Sequence, residues 1–102
     1  MNGDLASHQA EIDELCRRFG VLSLELFGSA ARGEDQPGVS DLDFLVEFQP
    51  EPPGGYADAY FGLSEALQEL FGRPVDLVVS SAIRNPFFRE SVERTKVLLY
   101  AA

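Results

Sequence analysis

The stretch 26–46 constrains the fold of this chain more than any other part of the sequence. It reads Leu-Phe-Gly-Ser-Ala-Ala-Arg-Gly, then a polar loop, then Ser-Asp-Leu-Asp-Phe-Leu-Val. In its second half apolar residues alternate with others, and this alternation predicts a β-strand with one buried face. The buried face would carry Leu42, Phe44, Val46 and Phe48, and the opposite face Asp41, Asp43, Leu45 and Glu47. The stretch therefore predicts a strand, a tight glycine turn with a serine, and a second strand that opens with two carboxylates.

The two carboxylates of the second strand share one face. Residues two apart on a strand lie about 6.5–7 Å apart, so the side chains of Asp41 and Asp43 can bend toward one point. Two unit charges 4 Å apart repel each other by roughly 4 kcal/mol at an effective dielectric constant of 20. A solvated strand face is the simpler interpretation of any single Asp-x-Asp. The closeness of the two charges nevertheless favours a bound cation.

Length and composition are those of a small globular protein. The chain has 102 residues, 45% of them hydrophobic and 25% charged, which predicts one domain over 1–102 with one modest core. No apolar run approaches the about 20 residues that span a membrane, and the first residues lack the pattern of a secretory signal. The single cysteine, Cys16, lies in an apolar helical stripe and is interpreted as a core residue. We therefore expect a cytoplasmic protein.

The charge balance argues against direct binding to nucleic acid. Lys and Arg number 8 and Asp and Glu number 17, so the formal net charge is −9. Nucleic-acid binding draws on lysine and arginine. A nucleotide that arrives with magnesium is still compatible with this charge, because the metal reverses the local sign.

Strands interleave with helices along the chain. Helical spacing of apolar residues predicts helices over 7–19 and 56–71, and the Asn85-Pro86 pair predicts the start of a helix that runs to about Arg94. Period-two patterns predict strands over 21–27, 41–48, 75–79 and 96–100, with Leu22, Leu24 and Leu26 on one face of the first. This order predicts an α+β fold of two layers, with helices packed over one face of a small sheet.

A third aspartate completes a candidate site. Asp76 turns away from the apolar face of its strand, as Asp41 and Asp43 do. If the first three strands are neighbours, the three carboxylates converge beside the Gly28-Ser29 turn. Three carboxylates suit two magnesium ions about 3.5–4 Å apart, which clamp the oxygens of an in-line displacement. Gly28 lets a phosphate approach the backbone, Ser29 can bond it, and Arg32 can offset its charge.

These motifs together resemble the minimal nucleotidyltransferase family, within the polymerase-β-like nucleotidyltransferase superfamily. The resemblance is carried by three motifs and by the ending from Arg84 to Tyr100, so it covers nearly the whole chain. The motifs are Gly-Ser-Ala-Ala-Arg-Gly at 28–33, Ser-Asp-Leu-Asp-Phe-Leu-Val at 40–46 and Val-Asp-Leu-Val at 75–78. The resemblance implies a mixed sheet backed by helices.

The resemblance also implies an activity. Asp41 and Asp43 would bind two Mg²⁺ ions, Asp76 would complete the site and help activate an acceptor hydroxyl, and Gly28 and Ser29 would hold the β- and γ-phosphates. The reaction would move AMP from ATP onto a hydroxyl and release pyrophosphate.

Three hypotheses for the acceptor and the role of the protein are compatible with this resemblance. Members of this family are often paired with a HEPN-domain toxin and act as its antitoxin by adenylylating a toxin tyrosine, which is the leading hypothesis here. A binding antitoxin that masks its partner by contact alone is the second hypothesis. A small-molecule adenylyltransferase completed by homodimerisation is the third.

Overall fold

The computed structural model describes residues 7–33 and 41–102, so Ser40 and the predicted loop after Gly33 lie outside the described residues. The strands and the three longer helices follow one another in the order predicted, and a short helix and a 3₁₀ turn lie between them. They are α1 (Gln9–Arg18), β1 (Val21–Phe27), α2 (Gly28–Ala31), β2 (Leu42–Phe48), α3 (Tyr56–Phe71), β3 (Val75–Val79), a 3₁₀ turn (Ser80–Ala82), α4 (Pro86–Thr95) and β4 (Val97–Ala101).

The four strands form one mixed sheet in the order β3-β2-β1-β4. β1 runs antiparallel to both β2 and β4, whereas β2 and β3 are parallel. Parallel neighbours need a crossover connection, and α3 supplies it. The mixed α+β fold is therefore confirmed.

The main core lies between the sheet and helices α1 and α3. Ile12 and Cys16, one helical turn apart on α1, are fully buried, as are Leu63 and Leu67 on α3. They pack in one cluster with Phe44, which is fully buried at the middle of β2. Residues four apart share one face of a helix, so each helix covers the sheet with a single apolar stripe. α3 ends where predicted, at Gly72, which takes the left-handed conformation with φ 63°.

A second, smaller cluster lies on the other face of the sheet. Leu45 points away from Phe44 and is 3% exposed, and it packs with Phe27 and with Val92 of α4. α4 therefore covers part of the face that carries the aspartates. The sequence grouped Leu45 with the polar side of β2, and the structure shows that this side is partly buried.

The prediction that Leu22 shares the buried face of β1 with Leu24 and Leu26 is wrong. Leu22 is 45% exposed and Val21 is fully buried, although Leu24 and Leu26 are buried as expected. The pairing of β1 with β2 shifts register between Val21 and Ser23. Such an irregularity inserts a residue into the alternation and reverses the side-chain direction before it.

Within residues 7–33 and 41–102 no helix combines the length and the apolar character that crossing a membrane requires. α3 has 16 residues, compared with the about 20 that a span needs.

Candidate active site

The sheet register places Asp43 and Asp76 side by side. On β2, Asp43 is paired with Phe27 of β1 on one side and with Asp76 of β3 on the other. Asp41 precedes β2 by one residue, at the point where the backbone N–H of Leu42 donates to the carbonyl of Pro74 at 3.0 Å. The first three strands are neighbours, as the convergence of the three aspartates requires. All three belong to the edge of the sheet at which β1 ends and β2 and β3 begin.

The surroundings of the Asp43 carboxylate shift its pKa. Partial burial raises its pKa above the usual value, the charges of Asp76 and then Asp41 raise it further, and Arg32 acts in the opposite direction. Asp41 and Asp76 are exposed, whereas Asp43 is half-buried. The ionised form of Asp43 is thus destabilised by partial burial and by the two neighbouring carboxylates. A bound cation would offset this electrostatic repulsion.

The carboxylates are near one another without forming a closed ligand cage. Across the described ranges, no three side chains of Asp, Glu, His or Cys are grouped tightly enough to hold an ion as they stand. The donor chemistry nevertheless fits a hard divalent cation, because all three groups offer carboxylate oxygens. Asp41 and Asp76 are exposed, so their side chains are free to turn toward Asp43.

The turn after β1 contacts Asp43 at Gly28. Its φ is +75°, and a Cβ placed on it would run into the Asp43 carboxylate, with Cγ only 3.3 Å away. Glycine is required here both by the backbone conformation and by the closeness of the carboxylate. A ligand on this turn would therefore lie directly beside Asp43.

Ser29 and Arg32 follow Gly28 closely. Ser29 is half-buried in α2, and Arg32 is exposed at its C-terminal end. The effect of Arg32 on the pKa of Asp43 shows that its positive charge lies near the carboxylates. The structure therefore gathers the turn, the arginine and the aspartates at one edge of the sheet.

Sequence reasoning did not include Thr95 in this neighbourhood. The backbone N–H of Gly28 donates to its Oγ1 at 3.4 Å, and the same hydroxyl donates to the carbonyl of Ser91 at 3.2 Å. The last turn of α4 is thereby tied to the glycine turn. Gly28 and Thr95 are 67 residues apart, and no local pattern signals such a contact.

Cys16 is confirmed as a core residue. It is fully buried on α1, and burial raises the pKa of its thiol to about 12, with a further contribution from Asp13. A thiol with this pKa is protonated at neutral pH and is a poor nucleophile.

Comparisons with known proteins agree with the resemblance seen in the sequence. The profile of the nucleotidyltransferase domain family matches residues 11–99. MJ0128 of Methanocaldococcus jannaschii, which is named as a protein adenylyltransferase, is 43% identical over 79 residues, or 78% of this chain and 76% of the relative. The protein adenylyltransferase MntA of Thermococcus cleftensis is 38% identical over 81 residues, or 79% of this chain and 75% of the relative.

Solved structures share the fold. A minimal nucleotidyltransferase with 35% sequence identity superposes with a TM-score of 0.74, and the match covers 91% of this chain and 90% of the other. A toxin–antitoxin complex with AMP-PNP, at 22% identity, gives a TM-score of 0.70 over 92% of this chain and 73% of the other. A complex of tri-AMPylated Shewanella oneidensis HEPN toxin with its MNT antitoxin, at 19% identity, gives 0.65 over 96% and 73%.

The match to the domain profile spans most of the chain, and the two named relatives are each more than 30% identical to it. The glycine turn and the strand aspartates on which the resemblance was built also meet at one edge of the sheet. This chain belongs to the nucleotidyltransferase domain family and is an enzyme of the minimal nucleotidyltransferase type.

Proposed function

We propose that this protein transfers AMP from ATP to the hydroxyl group of a tyrosine on a HEPN-domain toxin. By this transfer it acts as the antitoxin of that toxin in the cytoplasm. The observation that carries the proposal is the position of Asp43. Asp43 is paired with Asp76 in the sheet, and the charge of Asp41 raises its pKa. Its carboxylate also contacts the turn at Gly28. A phosphate on the turn would therefore lie beside the carboxylates, which would hold the divalent ions.

Each residue then has a distinct task in the transfer. The turn at Gly28 and Ser29 holds the β- and γ-phosphates, and Arg32 offsets their charge. Asp41, Asp43 and Asp76 would hold two Mg²⁺ ions, which supply charge neutralisation at the attacking and leaving oxygens. Asp76 also helps to take the proton of the acceptor hydroxyl. The acceptor oxygen bonds to the α-phosphorus, the bond between that phosphorus and the oxygen bridging to the β-phosphate breaks, and pyrophosphate leaves.

The assignment of a toxin as acceptor has three supports. Relatives of this chain are named protein adenylyltransferases, and the neighbours in fold include an MNT antitoxin bound to an AMPylated HEPN toxin. The formal net charge of −9 also favours association with a basic partner.

Inhibition of the toxin by contact alone, without any need for AMP transfer, is the second candidate. The specific observation in its favour is that the described acidic side chains form no closed metal cage. Such a protein would mask the toxin by contact, and its aspartates would be dispensable.

One experiment separates the two candidates. The protein is incubated with its HEPN partner, ATP and Mg²⁺, and the partner is analysed by intact-mass and peptide mass spectrometry. We expect a gain of one or more AMP groups on a tyrosine with the parent and none with Asp41→Asn or Asp43→Asn. Asp58→Asn is a suitable control, because Asp58 is an exposed carboxylate on α3.

Inhibition of the toxin without any mass gain would support the binding antitoxin. Full transfer by Asp43→Asn would remove that residue from the mechanism.

A further inference from the structure

The fold leaves two phenylalanine side chains at the start of α4 accessible. Phe88 is 40% exposed and Phe87 is 80% exposed. The ring of Phe88 contacts the ring of Phe27 edge to face, with 5.9 Å between the two centroids. Because much of Phe88 stays accessible beside this contact, its ring can also contact a ligand.

The contact with Phe27 places Phe88 beside the candidate active site. Phe27 is the last residue of β1 and is paired with Asp43 of β2. Residues that are paired across two strands share a face of the sheet, with their Cβ atoms about 5 Å apart. The ring that Phe88 contacts therefore lies next to the carboxylate that the turn at Gly28 contacts.

Contacts on two sides of α4 show where Phe88 points. On one side, Lys96 follows the helix and pairs with Glu93 at 3.0 Å and with Glu25 of β1 at 3.4 Å. Phe88 is rotated by about 140° from Glu93 around the helix axis, so it lies on the other side. Thr95 is within about 20° of Phe88, and its hydroxyl accepts from the N–H of the glycine turn. Phe88 therefore belongs to the stripe of α4 that contacts this turn.

The spacing along this stripe suits a nucleotide. Thr95 contacts the turn at Gly28, where the proposed function places the β- and γ-phosphates. Phe88 lies two helical turns before Thr95, about 10 Å away by helix rise. In a nucleoside triphosphate, the α-phosphate and the ribose separate the base from the last two phosphates by a similar distance. A nucleotide with its phosphates on the turn can therefore bring its base to Phe88.

We propose that the exposed side of the Phe88 ring stacks on the base of the nucleotide, an inference that rests on the proposed function. Such stacking uses the π-face that every base has and requires no hydrogen bond from the protein. Purines offer a larger face than pyrimidines. The site would therefore prefer ATP and GTP to UTP and would discriminate little between ATP and GTP.

The test compares binding of ATP with binding of inorganic tripolyphosphate, each in the presence of Mg²⁺, by titration calorimetry. Tripolyphosphate has the three phosphates without ribose or base, so only ATP can stack. Phe88→Leu keeps an apolar side chain against Phe27 and removes the ring. We expect this change to weaken ATP binding about fivefold or more, as the loss of a stacked aromatic ring does. The affinity for tripolyphosphate should stay unchanged.

Two further variants are matched controls. Phe88→Tyr keeps a ring at the same place and should bind ATP as the parent does. Phe87→Leu removes the more exposed ring next along the chain. That ring is rotated by about 100° from Phe88 around the helix axis, so this variant should also bind ATP as the parent does. In the parent UTP should bind more weakly than ATP, and Phe88→Leu should reduce this difference.

Four outcomes would overturn the proposal. The first is an unchanged affinity of Phe88→Leu for ATP. The second is an equal loss for ATP and tripolyphosphate, which would place the effect at the phosphates. The third is an equal loss of ATP binding in Phe87→Leu. The fourth is a raised KM for the toxin in Phe88→Leu with unchanged ATP affinity, because the ring would then contact the acceptor and not the base.

Failure of this inference is distinguishable from failure of the proposed function. A parent that binds ATP through Phe88 but transfers no AMP would contradict the transfer and support the stacking. A parent that transfers AMP, together with a Phe88→Leu variant of equal ATP affinity, would support the transfer and overturn the stacking.

Discussion

At the scale of single residues, Gly28 combines a left-handed backbone conformation with a close contact to the Asp43 carboxylate. Gly28→Ala should destabilise the protein by more than the about 1–2 kcal/mol that a left-handed backbone costs a residue with a side chain, because the added Cβ also displaces Asp43. It should also abolish transfer. Denaturant unfolding and the AMP-transfer assay measure the two effects.

Gly33 is a matched control for this change. It has φ +74°, and a Cβ placed on it meets no atom of residues 7–33 and 41–102 within 4 Å. Gly33→Ala should therefore show only the backbone cost and should keep Asp43 in place. Equal losses of stability in the two variants would contradict the contact between Gly28 and Asp43.

The raised pKa of Asp43 predicts an unusual dependence of stability on pH. Its folded-state pKa lies above the ordinary value of an aspartate, so the ionised form is destabilised by folding. The destabilisation is absent below the unfolded pKa, grows as the pH rises and is complete above the folded pKa. In EDTA, Asp43→Asn should therefore be more stable than the parent at pH 7, and this advantage should vanish toward pH 3. Thermal unfolding across this range measures it, and a gain that persists at low pH would assign it to another cause.

At the scale of elements, α4 connects several parts of the site. Val92 packs on Phe27 and Leu45 on the aspartate face, and Thr95 accepts the hydrogen bond of Gly28. The start of the helix is fixed by Asn85, whose Oδ1 accepts from the backbone N–H groups of the second and third helical residues at 2.9 and 3.3 Å. A disturbance at the start of α4 is therefore expected to reach the glycine turn.

Asn85→Ala should destabilise the protein by about 1 kcal/mol, because it leaves these two N–H groups without the cap. In a domain of this size the loss corresponds to a decrease in Tm of about 4–8 °C. Asn85→Asp keeps an acceptor oxygen and should behave as the parent does. Differential scanning calorimetry compares the three proteins, and a full loss in Asn85→Asp would show that the cap is not responsible.

At the scale of the whole molecule, nucleotide and metal should stabilise the fold together. A ligand that binds only the folded state adds about 2.7 kcal/mol at a concentration 100 times its Kd. We therefore expect Mg²⁺ and ATP to raise the Tm of the parent, ATP in EDTA to raise it much less, and Asp41→Asn to show little response. Differential scanning fluorimetry detects these shifts. Equal shifts in the parent and in Asp41→Asn would contradict the role of Asp41 as a ligand.

Much of the fold follows from local patterns. The bounds of β1, α3 and β3 agree with the sequence because each element has a clear period and a clear end, such as Gly72 after α3. The prediction failed at Leu22, where an irregular pairing breaks the period. Leu45 was also misjudged, since the helix that buries it begins 41 residues later, at Pro86.

The sequence by itself determined the elements, the core residues Cys16 and Phe44, and the motifs that mark the family, because these depend on neighbours along the chain. Only the tertiary structure decided that Asp43 pairs with Asp76 and that α4 lies on the aspartate face. These features depend on which strands pair and in which register. Contacts between distant residues set that register, and no single stretch of sequence specifies it.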